Sequence, residues 1–330
     1  MTLARLTASG RLINGSGQVR ASAAGRRGSA FELVTQAEVS PDRIVARGSG
    51  SVEGQPLQLL SPAQIQREGD GWRIAPTAVR FAGGKATVGG RTGSIPELTA
   101  TLEAMPLGVL NIFRPRMDLG GTATGRIAYA RPDGIPQGRV DLRVRGLSRA
   151  GLVLSSRPID VGIAAALDGR QAAIRAVAVS DGRTLGRAQA RFAPLGRGPI
   201  IDELRNAPLF AQLRYAGPAD TLWRLTDTDI LDVSGPVAIG VDIGGRLVAP
   251  QIRGSMKTTG ARIESAVTGM VITDFATNGN FTGSRLDLKQ LSGRTPGGGS
   301  ITGSGTVDFS GGAPALDLSF QAKSARLLAR

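Results

Sequence analysis

Apolar and polar residues alternate one for one near the end of the chain. Leu316, Leu318, Phe320 and Ala322 interleave with Asp317, Ser319, Gln321 and Lys323. A period of two predicts a strand with one apolar and one wet face. Just upstream, Ile301, Gly303, Gly305, Val307 and Phe309 interleave with Ser300, Thr302, Ser304, Thr306 and Asp308. The turn-forming run Ser310-Gly311-Gly312-Ala313-Pro314 lies between them, so the two segments predict a β-hairpin. Its glycines predict places where the backbone bends or approaches something closely.

The unit recurs along the chain. Residues 1–60 hold strand-like runs at Leu12-Ile13, Phe31 to Val34, Ile44 to Arg47 and Val52 to Leu60. Gly83 to Gly90 is a glycine-spaced strand, followed by Leu98, Ala100 and Leu102 in alternation. Met105 to Phe113, ending at Arg114-Pro115, reads as a short helix or turn, since Pro106 suits a helix first turn. Asp118-Leu119-Gly120-Gly121 then opens a segment that leads to Val140, Leu142 and Val144 in alternation. The cycle returns with apolar strands at 163–179, a glycine-spaced strand from Gly186 to Pro194, an alternating one from Ala207 to Tyr215, and a short helix from Pro218 to Leu225. Asp232-Val233-Ser234-Gly235 matches Asp118-Leu119-Gly120-Gly121 at an offset of 114 residues (232 − 118), and Val237, Ile239, Val241 and Ile243 follow. A conserved order of elements with variable loops is the mark of a quasi-linear repeat array. The expected cycles are 1–117, 118–231 and 232–330.

Composition agrees with many short strands. The chain has 330 residues, with 47 Gly, 18 Pro and 41% apolar residues, an apolar share ordinary for a folded protein. Aromatics are only 4%, so aliphatic side chains and glycine line whatever is buried. There is no Cys and no His, which removes disulfides, the usual zinc and haem ligand sets, and any triad with a His base. The net charge of +14 comes almost wholly from arginine. The arginines neither cluster nor interleave with aromatics as a nucleic-acid platform requires, so nucleic acid is not an expected partner.

Catalytic signatures are missing. There is no G-x-S-x-G elbow, and Gly84-Lys85 lacks the rest of a phosphate-binding loop. Gly48-Ser49-Gly50 and Gly303-Ser304-Gly305 sit inside strand patterns, where glycine serves packing. Asp227, Asp229 and Asp232 are spaced acids without the loop that a calcium site needs. Asp202-Glu203 and Glu264 stand alone. Trp72 and Trp223 read as packing anchors. No run reaches the ~18 apolar residues of a membrane helix. The start lacks a signal-peptide core, and the end stops in an apolar-rich segment, so a piece of a longer protein is expected.

What remains is the apolar face. A strand buried on one side needs a partner for that side, and no long amphipathic helix offers itself. Either the sheet curls until its apolar faces meet, or it leaves a groove that something apolar must fill.

Three further stretches carry a family resemblance: Ser234-Gly235-Pro236, the spacing Gly245-x-Leu247-x-x-Pro250-x-x-x-Gly254, and the hairpin from Gly303 to Leu318. With Gly217–Met256 as a whole, and Gly69–Gly90, they resemble the C-terminal domain of the TamB family (translocation and assembly module subunit). That family belongs to the AsmA-like, bridge-like lipid transfer proteins. The resemblance implies an all-β fold, an elongated curled antiparallel sheet with an apolar interior and a few short helical turns between repeats. It implies a periplasmic protein, tethered to the inner membrane by an N-terminal helix outside this chain, that carries phospholipid toward the outer membrane. It also implies a BamA-like (TamA-like) outer-membrane barrel as partner, through regions outside this chain. No enzyme activity and no cofactor are expected. The expected groove liners are Val140, Leu142, Val144, Val237, Ile239, Val241, Ile243, Ile301, Val307, Phe309, Leu316, Leu318 and Phe320. The competing expectations are a chaperone-like scaffold for outer-membrane protein assembly and a closed structural β-solenoid.

Overall fold

The computed structural model describes residues 2–27, 29–112, 119–149, 157–223, 232–265, 268–310 and 315–325. The protein is nearly all β, and its strands belong to one antiparallel sheet. Contacts divide the chain into two compact units, residues 1–147 with 162–169, and residues 148–161 with 170–330.

The first unit begins with β1 (Thr2–Ile13), β2 (Ser16–Arg27), β3 (Ser29–Ser40) and β4 (Arg43–Val52), each paired to the one before it. β4 then pairs with two short strands, β5 (Gln55–Leu59) and β6 (Ala63–Glu68), and both pair onward with β7 (Gly71–Phe81). β8 (Gly84–Arg91), β9 (Glu97–Pro106) and β10 (Leu119–Ala130) continue the order. β11 (Gln137–Arg149) and β12 (Ile159–Asp168) follow in the chain.

In the second unit, β13 (Ala172–Ser180), β14 (Arg183–Phe192) and β15 (Leu209–Pro218) pair in order, with α1 (Ile200–Asn206) inserted before β15. After α2 (Ala219–Trp223) and the short β16 (Asp232–Ser234), β15 pairs with β17 (Pro236–Arg246). β18 (Ala249–Glu264) pairs with both β16 and β17, and β19 (Val271–Gly283), β20 (Arg285–Arg294), β21 (Ser300–Asp308) and β22 (Ala315–Lys323) extend the ladder.

Several expected elements are found, with instructive differences. The segment after Met105 is a 3₁₀ turn, Leu107–Ile112, and α2 occupies the expected short helix. The run Val52 to Leu60, expected as one strand, is broken into β4 and β5. Glu53 and Gly54 have φ of 50° and 74°, the paired positive angles of a two-residue hairpin turn that suits the strand twist. α1 lies where only isolated acids were expected. The Glu203 carboxylate accepts hydrogen bonds from the Gly196 and Gly198 amides at 2.6 and 3.0 Å, and this ties the preceding loop onto the helix. Arg114, Pro115, Asp118, Asp227, Asp229, the turn at 311–314 and the residues from Arg326 onward lie outside the described residues.

The offset of 114 residues has a structural counterpart. Gly121 and Gly235 share nearly the same left-handed backbone, φ 99° and 98°. Each presses on a second left-handed glycine one strand away, Gly146 and Gly260 (φ 63° and 76°), which are again 114 apart (260 − 146). A Cβ on Gly121 would stand 2.7 Å from the Gly146 carbonyl oxygen, and one on Gly235 3.0 Å from that of Gly260. The motif therefore marks a site where two bent strands touch backbone to backbone, which a side chain would push apart.

The core is distributed along the ladder. One cluster joins Val52, Phe81, Ala86 and Met105 in the first unit. In the second, Tyr215, Ala219 and Val237 form one cluster, and Ala261, Ile272, Phe275, Leu286, Leu288, Leu291, Ile301 and Val307 form another. Each draws its members from neighbouring strands, as expected of repeats that stabilise one another locally.

Gly121→Ala and Gly235→Ala should each destabilise their unit by about 1–3 kcal/mol through backbone strain and the clash. Gly69, also at positive φ (60°) but with open space at its Cβ position, should lose less on the same change. Urea midpoints of the three variants test the order.

Candidate functional site: an apolar sheet face

Cross-strand register decides what the two faces of each unit carry. In the first unit Leu12 faces Gly17, and the row runs on through Val39, Ile44, Ile65, Ile74, Gly90, Leu98 and Tyr129, one residue from each of β1, β2, β3, β4, β6, β7, β8, β9 and β10. No member of this row is buried. Leu12 and Leu98 are 54% and 45% exposed, and the residues between them are half-buried. The adjacent row, pointing the other way, reads Ser40, Arg43, Gln66, Arg73, Arg91 and Glu97. Arg91 bonds Glu97 at 2.7 Å and Glu68 at 3.4 Å, and Arg73 reaches Glu68 at 3.5 Å. One row is thus charged and cross-linked by ion pairs, and the other is apolar and incompletely covered.

A parallel row in this unit passes through Leu59, Val79, Ala86, Leu102 and Gly125, and Gly125 lies against Leu142 of β11. In β11, Val140 and Leu142 are half-buried and Val144 is buried, while Arg139, Asp141, Arg143 and Arg145 between and beside them are exposed. The three expected liners on this strand share one face.

In the second unit the same logic gives two long rows. One runs Leu213, Val241, Gly254, Phe281, Leu286, Val307, Leu316. Its neighbour runs Tyr215, Ile239, Met256, Gly279, Leu288, Gly305, Leu318. Small residues are set between large ones. A Cβ on Gly279 would meet the Leu286 and Leu288 side chains at 2.6 and 3.0 Å, and one on Gly305 would meet Leu318 at 2.6 Å. Glycine here makes room for a large neighbour lying flat over the strand. The opposite face is polar. Gln189 donates to Gln212 at 2.7 Å, Gln212 to Asp242 at 3.1 Å, and Arg214 to Asp242 at 2.7 Å. The bond from Arg214 holds the Asp242 carboxyl below its ordinary pKa.

Within the second unit the expected liners thus share a face, but they differ in cover. Val237, Val241, Ile301 and Val307 are buried at 9, 4, 2 and 9% exposure, while Ile239, Ile243 and Phe309 are half-buried. The Phe309 ring lies 6.3 Å from that of Phe281. On β22, Leu316, Leu318 and Phe320 are exposed. The face is therefore closed by its own side chains in the middle of this unit and bare at its last strand. α2 supplies part of the cover, since Ala219 and Leu222 pack with Tyr215 and Val237. Its Asp220 is buried and accepts from the Arg157 amide at 3.1 Å. The Tyr215 hydroxyl donates to the Pro218 carbonyl at 2.8 Å, and burial raises its pKa.

Sequence reasoning missed much of the face: Ile44, Ile65 and Ile74 in the first unit, and Leu213, Tyr215, Met256, Phe281, Leu286 and Leu288 in the second. Ile44, Ile65, Leu213 and Tyr215 lie on strands of unbroken register, and only that register assigns them to the face. For Ile74, Met256 and Leu288, β-bulges lie close by. Register shifts fall between Ile74 and Thr77, Thr258 and Ala261, and Leu288 and Leu291. An extra residue reverses the parity of a strand, so a strict period of two loses phase there. The positive φ of Gln290 (55°) marks one such point, but in the sequence Gln290 looks like any polar residue.

No helix among the described residues is long and apolar enough to cross a membrane. No family model, curated protein or solved structure matches the chain.

Val241→Asp and Leu318→Asp look equivalent in the pattern but not in the structure. The first buries an unpaired carboxylate and should cost the second unit ~3 kcal/mol or more. The second sits at 36% exposure and should change stability by less than about 1 kcal/mol. Denaturant unfolding of the two variants measures the difference.

Proposed function

We propose that the apolar face of this sheet holds phospholipid acyl chains, and that the chain is a non-enzymatic section of a conduit moving lipid between membranes. The observation that carries this reading is the row from Leu12 to Tyr129. It is contiguous across its strands, made of six aliphatic residues, two glycines and Tyr129, and none of it is fully buried. At the usual strand spacing its eight steps run about 38 Å along the sheet. The hydrocarbon of one bilayer leaflet is ~15 Å deep, so the row is long enough for more than one acyl chain in succession.

The chemistry suits this client. A soluble surface seldom leaves such a contiguous apolar stripe without an occupant. Each methylene taken from water onto it contributes roughly 0.8 kcal/mol. Aliphatic and glycine surfaces offer an acyl chain no hydrogen bond to hold it at one point, which favours sliding over fixed binding. The charged opposite face, with its Arg73, Arg91, Glu68 and Glu97 pairs, keeps the other side wet. The likeness of Gly217–Met256 to TamB-type lipid bridges supports extending the reading to a periplasmic route from inner to outer membrane.

The chain purified without detergent should carry phospholipid, quantified by extraction and mass spectrometry. Ile65→Asp and Ile74→Asp should reduce the bound amount roughly tenfold, the effect of about 1.4 kcal/mol. Gln66→Asp, on the charged face, should leave it near the starting value. A lipid-free native chain, or equal loss in all three variants, contradicts the reading.

A further inference from the structure

The polar face of the second unit holds a feature that the apolar rows do not explain. Pairing between β14 and β15 ends where Gly186 meets Tyr215. β15 runs on to Pro218, held on its other side by β17. A bulge lies at the point where β14 leaves it. The register of β13 with β14 shifts between Ala178 and Val179 and passes over Leu185, and Leu185 packs into the cluster of Tyr215 and Val237. A bulge bends its strand and re-aims the side chains beside it. Beside this one lies a cavity of about 650 Å³, bordered by β14, β15, β17 and β18. That volume is in the range of small-molecule sites.

The floor of the cavity is small and its walls are cationic. Ala216 and Ala238 face each other across β15 and β17, with Gly240 next on the same face, and both alanines are exposed. Arg187 stands directly opposite Arg214. The same row continues through Gly240 to Ser255, and Lys257 lies opposite Ala238. Arg187, Arg214, Ser255 and Lys257 all border the cavity, as does Thr184.

These charges are not balanced. Two arginines directly opposed on antiparallel strands repel each other. Asp242 answers only one of them. It accepts from Arg214 at 2.7 Å, and Arg214 also donates to the Val241 carbonyl at 2.6 Å, so its guanidinium is held against β17. Among the described residues, Arg187 and Lys257 have no ion pair or hydrogen bond, and the hydroxyls of Thr184 and Ser255 have none either. Two cations and two hydroxyls thus meet at one cavity with their donors unused.

This donor set defines a ligand. It must bring acceptors and negative charge. Arg187 and Lys257 stand three strands apart, about 14 Å between backbones at the usual spacing, so an anion with more than one charged group engages both at once. Phosphate groups suit the pair. A guanidinium binds phosphate oxygens as a fork and an ammonium as a point charge. We propose that this cleft binds a phosphorylated molecule carrying at least two negative charges, held between Arg187 and Lys257. The site uses no side chain of the apolar rows, so it stands whether or not lipid occupies them.

Two titrations test the proposal and separate a soluble phosphate from a lipid headgroup. One is calorimetry of the chain with pyrophosphate at low salt. The other is co-sedimentation with phosphatidylcholine vesicles, with and without phosphatidic acid. The native chain should bind pyrophosphate if the ligand is soluble, and only the vesicles with phosphatidic acid if it is a headgroup. Arg187→Ala and Lys257→Ala should each weaken the observed binding by roughly tenfold. Both side chains are exposed, so urea midpoints should stay at the native value. Arg80→Ala removes an exposed cation from the first unit and lowers the net charge equally, yet should leave binding near the native level. A native chain that binds neither probe overturns the proposal. So do Arg187→Ala and Lys257→Ala variants that lose no more affinity than Arg80→Ala, since binding then follows net charge alone.

Discussion

Cross-strand register is the constraint on which the molecule depends. The backbone ladder fixes which residue of one strand faces which residue of the next, and side chains alternate between faces with a period of two. A slip of one residue anywhere in the first unit would move Ile44, Ile65 and Ile74 to the charged side and bring Arg43, Gln66 and Arg73 to the apolar one. The hairpin turns prevent this. Glu53-Gly54 holds Val52 opposite Gln55, and Gly121 and Gly235 fix points where two strands meet backbone to backbone. Register, more than any single core cluster, gives the sheet two chemically distinct faces.

The same face behaves differently along the chain because side-chain size differs. Around Phe275, Leu286, Leu291 and Ile301 large residues meet one another and bury themselves. In the row from Leu12 to Tyr129, glycines and single aliphatic residues do not reach far enough to do so, and the face stays half covered. Glycine in the second unit has the converse use at Gly279 and Gly305, where it lets Leu288 and Leu318 lie flat over the strand. Alternation of large and small residues thus tunes how much of the wall is closed by the protein itself and how much is left bare.

Much of the fold was legible in the chain, and the reasons are physical. The alternation at Val237 to Ile243 and at Ile301 to Phe320 survives in the structure because no bulge interrupts β17, β21 or β22. The match of Asp118-Leu119-Gly120-Gly121 with Asp232-Val233-Ser234-Gly235 was visible because a left-handed, close-packed position admits little but glycine. Beside bulges, as at Ile74 and Leu288, the phase of the pattern changes without a fixed sequence sign, while Ile44, Ile65, Leu213 and Tyr215 lie in unbroken strands where only the cross-strand register shows which face they share. Degree of burial was also hidden. Val241 and Leu318 occupy the same pattern, yet one is sealed by Leu213 and its neighbours and the other stands at an edge.

The account rests on the aliphatic row of the first unit being a lipid-contacting surface. A photo-crosslinking amino acid placed at Ile65, and in a second protein at Gln66, tests this directly when the chain is produced in cells and irradiated before purification. Mass spectrometry should find phospholipid adducts at position 65 and none at the neighbouring position 66, whose side chain points to the charged face. Adducts absent at Ile65, or equally abundant at the two positions, would contradict the account.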